Sequence, residues 1–139
     1  MRPIDTPAET SKTVARAFYE GYNTHDLKTV FGTYLSTDLV NHALGGAMGV
    51  ELWLQYDEAT IAAMPDLKIT VLEQAAEGNK VFTRWVIEGS HTANFFDKPA
   101  TGNTARLEAV TIDVVRDGKI VEHNAIGDFS QFMQQFETK

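Results

Sequence analysis

The second half of the chain alternates between apolar and polar residues with a period of two, and this pattern constrains the fold most. Strands are predicted in "LKITVLEQ" and "KVFTRWVIEGSH", which are joined across Glu77-Gly78-Asn79. Two further strands, "ARLEAVTIDVV" and "KIVEHNAI", are joined by Asp117-Gly118. Asp-Gly is a favoured two-residue turn between antiparallel strands. The pattern therefore predicts a long antiparallel meander.

The first half of the chain carries the start signals of three helices. Thr6-Pro7-Ala8-Glu9 is a capping box with proline at the first helical position. Asp26 can cap a second, short helix, and a third is predicted from about Val50 to Met64, because Pro65 ends it. The remaining segments are a short strand in "DLVNHA", a glycine-rich loop in "LGGAMG" and a last helix that holds Phe129, Phe132, Met133 and Phe136.

Helices followed by a meander and a closing helix predict an α+β fold. A strongly curved antiparallel sheet that wraps over the helices leaves a hollow on its concave side, which is a natural pocket for a small hydrophobic molecule. The length of 139 residues suits one domain, which we predict over residues 1–139.

Composition excludes several classes of function. The net charge is -7 and the basic residues are scattered, so nucleic acid binding is not expected. The chain has no apolar run long enough to span a membrane, and "MRPIDTPAET" lacks the apolar core of a signal peptide, so we predict a cytoplasmic protein. Cysteine is absent and the four histidines lack metal-site spacing, so no metal site is predicted.

The order of elements resembles the cone-shaped fold shared by nuclear transport factor 2 and ketosteroid isomerase. Within that fold, four segments resemble motifs of the SnoaL-like polyketide cyclases: Gly89-Ser90-His91, Pro99-Ala100-Thr101-Gly102, Asp117 to Ile120, and Asp128. The resemblance covers nearly the whole chain. It implies a SnoaL-like domain that closes a ring by an aldol reaction without metal or cofactor, with Asp128 as general acid/base and Asn41 as an active-site asparagine.

The chain departs from the family pattern at two positions. A pocket histidine of the cyclases falls on Thr111 and a nearby glutamine falls on Ala109. The polar surroundings that handle an anthracycline substrate are therefore missing, and that substrate class is not carried over. Aldol cyclisation, isomerisation and dehydration of a small carbonyl compound stay open, because all three begin with the same proton abstraction.

Two roles are open for Asp128 from its position alone. It precedes the last helix and Gln131 lies three residues on, which is close to a capping box. If it instead faces an apolar pocket lined by Phe129, Trp85 and Ile126, desolvation raises its pKa and suits it to proton transfer. The resemblance favours catalysis.

Other candidate residues are weighed by their position on strands and helices. His91 is either a hydrogen-bonded structural group or a donor to a substrate oxygen. Asn41 and His42 face opposite ways on a strand, and Asn41 is the better candidate for orienting that oxygen. His123 alternates with Asn124 and is assigned to the outer sheet face. The predicted substrate contacts are His42, Trp53, Tyr56, Trp85, Ala109, Thr111, Asn124 and Phe129.

Two further functions and one partner are also predicted. A homodimer is expected through the apolar outer sheet face, which carries Val86, Val110, Ile112 and Val114. The chain is alternatively a non-catalytic ligand-binding or dimerisation module, with Asp128 bonded to the last helix and turned away from the pocket. A hydrolase similar to limonene epoxide hydrolase would require Arg84 and Asp113 to converge with Asp128, although Arg84 is expected to pair with Glu108.

Overall fold

The structure is a computed structural model that describes residues 6–43 and 49–137. The helices of this part are α1 (Pro7–Glu20), α2 (Leu27–Tyr34), α3 (Val50–Ala63) and α4 (Phe129–Gln134), and a 3-10 turn spans Gly21–Thr24. The strands are β1 (Leu35–Asn41), β2 (Lys68–Glu77), β3 (Lys80–Ser90), β4 (Thr104–Arg116) and β5 (Lys119–Gly127). The predicted "LGGAMG" loop lies mostly on residues 44–48, outside the described residues.

The α+β prediction is confirmed, with one correction to the sheet. Its strand order is β1-β5-β4-β3-β2, and β2 to β5 form the predicted antiparallel meander. β1, however, pairs parallel to β5, so the sheet is mixed rather than antiparallel, and it is not closed. The parallel pairing makes Asn41 and His123 direct neighbours across the two strands.

The helix starts follow the local signals in the sequence. The Thr6 hydroxyl accepts a hydrogen bond from Glu9 N at 3.2 Å, and the Glu9 carboxylate accepts one from Thr6 N at 3.1 Å. The Asp26 carboxylate accepts one from Thr29 N at 3.3 Å. These side chains satisfy backbone N–H groups that have no partner inside the helix. α1 then buries Ala15 and Phe18 fully in the core.

A β-bulge in the β4–β5 hairpin decides which residues face inward. Next to the Asp117-Gly118 turn, Val115 pairs with Ile120, but one step further Val114 pairs with Glu122, which leaves Val121 without a partner. One extra residue on a strand moves every later side chain to the opposite face of the sheet. The predictions that Asn124 faces the pocket and that His123 faces outward are therefore both wrong.

The outer face of the sheet is partly apolar. Ile126 and Phe82 are 61% and 39% exposed there. Val110, Ile112 and Val114 are half-buried on the same face, whereas Val86 is buried and offers little contact area. None of the described helices is long and apolar enough to cross a membrane.

Candidate active site

A cavity of about 480 Å³ lies between the helices and the inner face of the sheet. Its volume lies within the usual range for small-molecule sites, which is about 300–1,000 Å³. Most of its surface is apolar, and aromatic side chains form much of the wall: Tyr22, Trp53, Tyr56, Trp85, Phe129 and Phe132. The cavity therefore suits a flat, mostly apolar molecule.

Three polar side chains form a connected group at the inner face of the sheet. The Asp113 carboxylate is fully buried and is held between Tyr19 and His123. The Tyr19 hydroxyl donates to Asp113 Oδ2 at 2.6 Å, and His123 Nδ1 lies 2.7 Å from Asp113 Oδ1. Tyr19 and His123 line the cavity, while Asp113 lies behind them. The register shift brings this group together, because Asp113 and His123 are paired across β4 and β5.

The buried carboxylate sets the tautomer of His123. A carboxylate accepts hydrogen bonds, so Nδ1 carries the proton and the lone pair of the neutral ring is on Nε2. The ring plane is held by Trp53, which stacks on the imidazole with centroids 4.3 Å apart. A carboxylate that fixes the tautomer and orientation of a histidine is the arrangement that makes its other nitrogen a proton acceptor.

Asn41 adds an amide beside this group. The side chain is 4% exposed and lines the cavity, and its Oδ1 accepts a hydrogen bond from Ala43 N at 2.9 Å. With Oδ1 engaged by the backbone, the amide N–H groups are the part that can bond a ligand oxygen. The predicted place of Asn41 in the pocket agrees with the structure.

A second carboxyl group, that of Asp57 on α3, also lines the cavity. Its Oδ2 accepts hydrogen bonds from the Tyr22 hydroxyl at 2.5 Å and from Trp53 Nε1 at 2.9 Å. Burial raises the pKa of Asp57 to about 6, and the two hydrogen bonds and the nearby His123 lower it only in part. Asp57 is therefore a carboxyl group that changes charge near neutral pH.

The tyrosines of the site stay protonated. Burial and the Asp113 carboxylate raise the pKa of Tyr19 well above its usual value, and burial and Asp57 do the same for Tyr22. A phenol that faces a buried carboxylate avoids a second negative charge at short distance. Both hydroxyls therefore act as hydrogen-bond donors.

Several predicted substrate contacts do line the cavity: Asn41, Trp53, Tyr56, Trp85, Thr111 and Phe129. Three others do not. Ala109 is buried but is not part of the cavity lining, His42 is exposed and bonds Glu122 at 3.1 Å, and the Asn124 side chain accepts a hydrogen bond from the backbone of Ala125.

Asp128 is the main departure from the predicted site. It is exposed, its Oδ1 accepts a hydrogen bond from Gln131 N at 2.9 Å, and it does not line the cavity. Ile126, expected beside it in a pocket, is 61% exposed. The predicted placement of Asp128 in an apolar pocket is wrong, and its capping role is confirmed. The physical reason is the bulge at Val121, which turns this end of β5 outward.

His91 lies away from the cavity and joins the two motif segments. Its Nδ1 lies 3.0 Å from the Thr101 hydroxyl, and Gly102 N donates to the His91 carbonyl at 2.8 Å. The ring is fully buried and meets Phe136 edge-on, and burial lowers its pKa. His91 is therefore a hydrogen-bonded structural group, which was one of its two predicted roles. The other prediction, that it lies against a substrate oxygen, is wrong.

The three residues of an epoxide hydrolase relay do not converge. Arg84 lies on the outer face, where it pairs with Glu108 at 2.8 Å, as predicted, and with Glu73 at 3.1 Å. Asp113 lies on the inner face and Asp128 is exposed. Across residues 6–43 and 49–137 no group of three or more His, Asp or Glu side chains is placed to hold a metal ion.

Sequence reasoning missed Tyr19, Asp57 and the contact between Asp113 and His123, and it placed His123 on the wrong face of the sheet. A usable signal existed for Asp57, because it follows Trp53 by four residues and so puts a carboxylate on the buried face of α3. Tyr19 likewise falls within the apolar stripe of α1. The Asp113–His123 pair had no such signal, since a regular two-residue hairpin would have placed the two residues on opposite faces.

Comparison with known proteins agrees with the architecture. The sequence model of the SnoaL-like polyketide cyclases matches residues 12–136. The structure of IdmH from Streptomyces antibioticus, whose description as a polyketide cyclase is provisional, is 30% identical, with a TM-score of 0.75 over 90% of this chain and 96% of that one. Comparison with curated protein sequences finds no match.

Two more distant structures share the fold. AclR from Streptomyces galilaeus, provisionally described as a hydroxylase, is 22% identical, with a TM-score of 0.80 over 91% of this chain and 94% of that one. A SnoaL-like protein from Jannaschia sp. CCS1, also provisionally a polyketide cyclase, is 20% identical, with a TM-score of 0.79 over 100% and 99%. Proteins with this architecture thus carry different descriptions, as expected when function depends on the site.

Proposed function

The chain belongs to the SnoaL-like polyketide cyclase family, and from this premise we propose that it is a cofactor-independent enzyme acting on a small, flat carbonyl compound. His123 is the general base, and Asp113 and Tyr19 hold it in position. The observation that carries the proposal is the imidazole on the cavity wall, with Nδ1 on a fully buried carboxylate.

The proposed chemistry begins with removal of a proton from the carbon next to the carbonyl group. Nε2 of His123 takes this proton, and the adjacent Asp113 carboxylate stabilises the imidazolium that forms. A positioned general base contributes a rate factor of about 10²–10⁴. The Tyr19 hydroxyl bonds the other carboxylate oxygen at 2.6 Å, which keeps Asp113 from rotating away from the ring.

Asn41 orients the substrate in this proposal. It pairs directly with His123 across the parallel strands, so a carbonyl oxygen bonded to its amide N–H lies near the base. Aldol cyclisation, isomerisation and dehydration of such a compound share this first step, and the later fate of the enolate distinguishes them.

Solvent deuterium exchange tests the proposal without knowledge of the product. In D₂O, the protein is expected to accelerate deuterium uptake next to the carbonyl of 2-tetralone, a flat bicyclic ketone. His123→Asn keeps a donor to Asp113 but removes the base, so it is expected to return the exchange rate to the buffer rate. Asp128→Asn is the matched control and is expected to exchange like the wild type. Exchange that survives in His123→Asn, or is absent in the wild type, contradicts the proposal.

The earlier prediction of Asp128 as the acid/base is tested by the same pair of variants. Loss of exchange in Asp128→Asn, with retention in His123→Asn, would return the catalytic role to Asp128. This outcome would require its carboxylate to leave the cap of α4, where it now bonds Gln131 N.

A second candidate function is a non-catalytic ligand-binding module. The observation that favours it is the placement of Asp128, which bonds the last helix and lies outside the cavity. Trp53 and Trp85 line the cavity, so ligand binding is expected to change tryptophan fluorescence. A ketone that changes the fluorescence but shows no deuterium uptake would support this module and exclude the enzyme.

Association into a homodimer through the outer sheet face also belongs to the proposal. Support comes from the exposed Ile126 and Phe82 beside the half-buried Val110 and Ile112, an apolar area that a second copy would remove from water. A cytoplasmic location stays a prediction.

A further inference from the structure

A second titratable group of the same cavity has no role in the chemistry described so far. We propose that Asp57 is the proton donor that works opposite His123: its carboxyl group protonates the substrate oxygen while the imidazole deprotonates the adjacent carbon. This inference rests on the proposed function. It makes the site a two-group acid/base centre, in which the carbonyl compound is converted to a neutral enol and not to a charged enolate.

The hydrogen bonds to Asp57 determine where its acidic proton lies. Tyr22 and Trp53 both donate to Oδ2, which must therefore act as the acceptor oxygen of the neutral carboxyl group. The proton is left on Oδ1, and the described residues donate no hydrogen bond to that oxygen. Because the side chain lines the cavity, Oδ1–H is the part of Asp57 available to a bound molecule.

Trp53 connects the two groups into one geometry. Its Nε1 bonds Asp57 Oδ2 at 2.9 Å, and its ring stacks on His123 with centroids 4.3 Å apart. A carbonyl group that lies along the Trp53 side of the cavity thus has the proton acceptor, His123, on the side of its adjacent carbon and the proton donor, Asp57, on the side of its oxygen. Fixed placement of donor and acceptor avoids the cost of reorganisation during the reaction.

The proton and electron balance of the step is closed. His123 Nε2 takes the proton from carbon, the C–H electron pair becomes the carbon–carbon double bond, and the carbonyl π pair takes the proton from Asp57. The products are a neutral enol, an imidazolium and a carboxylate, and the two charged side chains stabilise each other. The enol then attacks a second carbonyl carbon, whose oxygen takes the proton from the His123 imidazolium, or it takes that proton at another carbon. In both cases the enol O–H proton returns to the Asp57 carboxylate, so both side chains regain their starting charge.

The pH dependence follows from the groups that surround Asp57. The titratable side chains near it are Tyr19, Tyr22, Tyr56, Asp113 and His123. Burial raises the pKa of Asp57 to about 6, and the Tyr22 hydrogen bond counteracts this rise. The donor form is therefore lost as the pH rises through this value, which produces an alkaline limb in the rate profile.

Two variants test the donor role with 2-tetralone exchange in D₂O. Asp57→Asn keeps an oxygen for Tyr22 and Trp53 but has no acidic proton, so the exchange rate is expected to fall about 10²-fold or more and the alkaline limb to vanish. Tyr22→Phe removes a hydrogen bond that favours the carboxylate, so the alkaline limb is expected to move to higher pH. If Tyr22 only supports the fold, the pH at which the rate begins to fall is expected to be the same in Tyr22→Phe as in the wild type.

The outcomes separate this inference from the proposed function. If His123→Asn abolishes exchange while Asp57→Asn leaves both the rate and the pH profile unchanged, the proton-donor role is wrong and the base stands. If His123→Asn retains exchange, the proposed function itself fails. Glu58→Gln, which changes an exposed carboxylate on the same helix, is the control and is expected to match the wild type.

Discussion

Substituting Asp57 by asparagine is expected to change how the stability of the protein depends on pH. Burial raises the pKa of this carboxyl group from 3.8 to about 6, so the folded chain binds a proton here that the unfolded chain releases. Between these two values the stability of the wild type therefore falls as pH rises, because the unfolded state binds fewer protons. Above about pH 6 the folded protein holds a carboxylate that water would solvate better.

The magnitude follows from the size of the shift. One pKa unit corresponds to about 1.4 kcal/mol, so a shift of about two units gives a penalty of at most about 3 kcal/mol at high pH. Asp57 is only partly buried and borders the cavity, so water in the cavity reduces this figure. Asparagine carries no charge and accepts the same bonds from Tyr22 and Trp53, so it avoids the penalty.

Urea denaturation of both proteins at about pH 4 and about pH 7.5 measures the effect through the free energy of unfolding. The free energy of unfolding of Asp57→Asn, taken relative to that of the wild type, is expected to be about 1–3 kcal/mol larger at the higher pH than at the lower pH. The contributions of the other titratable groups to the pH dependence are the same in both proteins and cancel in this comparison. Glu58→Gln is the control, because it shows how much the loss of an exposed carboxylate on α3 changes the same quantity. A difference between variant and wild type that is the same at both pH values refutes the argument from burial.

Three further predictions concern the parts of the fold around the site. Asp128→Ala is expected to lose about 1 kcal/mol of stability by thermal or urea unfolding while Asp128→Asn loses none, because asparagine also caps helices; equal losses would mean that the cap contributes little. Gly127→Ala is expected to lower the free energy of unfolding by about 1–3 kcal/mol, because the new Cβ would lie 2.9 Å from Ala109 Cβ. Gly32→Ala in α2 is the matched control: its Cβ meets nothing within 4 Å, so this change is expected to raise the free energy of unfolding. Light scattering at micromolar concentration is expected to show a dimer that Ile126→Asp dissociates, since Ile126 is 61% exposed on the outer face; a monomeric wild type would contradict the proposed interface.

Local signals predicted most of the elements correctly. The helix starts at Thr6 and Asp26 depend on hydrogen bonds within four residues, and the Asp117-Gly118 turn depends on the backbone freedom of the turn residues themselves. The same holds for the cap of α4 by Asp128, which was one of the two roles that its position suggested. Interactions of this range are contained in the sequence segment that forms them.

The walls of the cavity were partly predictable for a related reason. Trp53, Tyr56 and Trp85 are large apolar side chains on the buried faces of their elements, and the lining of a pocket enclosed by the core is part of the same surface. Asp57 shares the face of α3 with Trp53. The sequence was enough to predict that Asp57 lies on the buried face of α3. Its hydrogen bond to Tyr22 could not be predicted, because Tyr22 lies 35 residues away in the chain.

By itself, then, the sequence determined the helices, the strands, their turns and the general α+β arrangement, because each of these depends on neighbouring residues. Tertiary structure decided which polar side chains meet at the cavity. One unpaired residue at Val121 brought His123 to Asp113 and turned Asp128 to solvent, and the parallel pairing of β1 with β5 put Asn41 next to His123. The pairing register of two strands depends on which face of each strand is buried against the rest of the fold, so it cannot be predicted from the sequence of either strand alone.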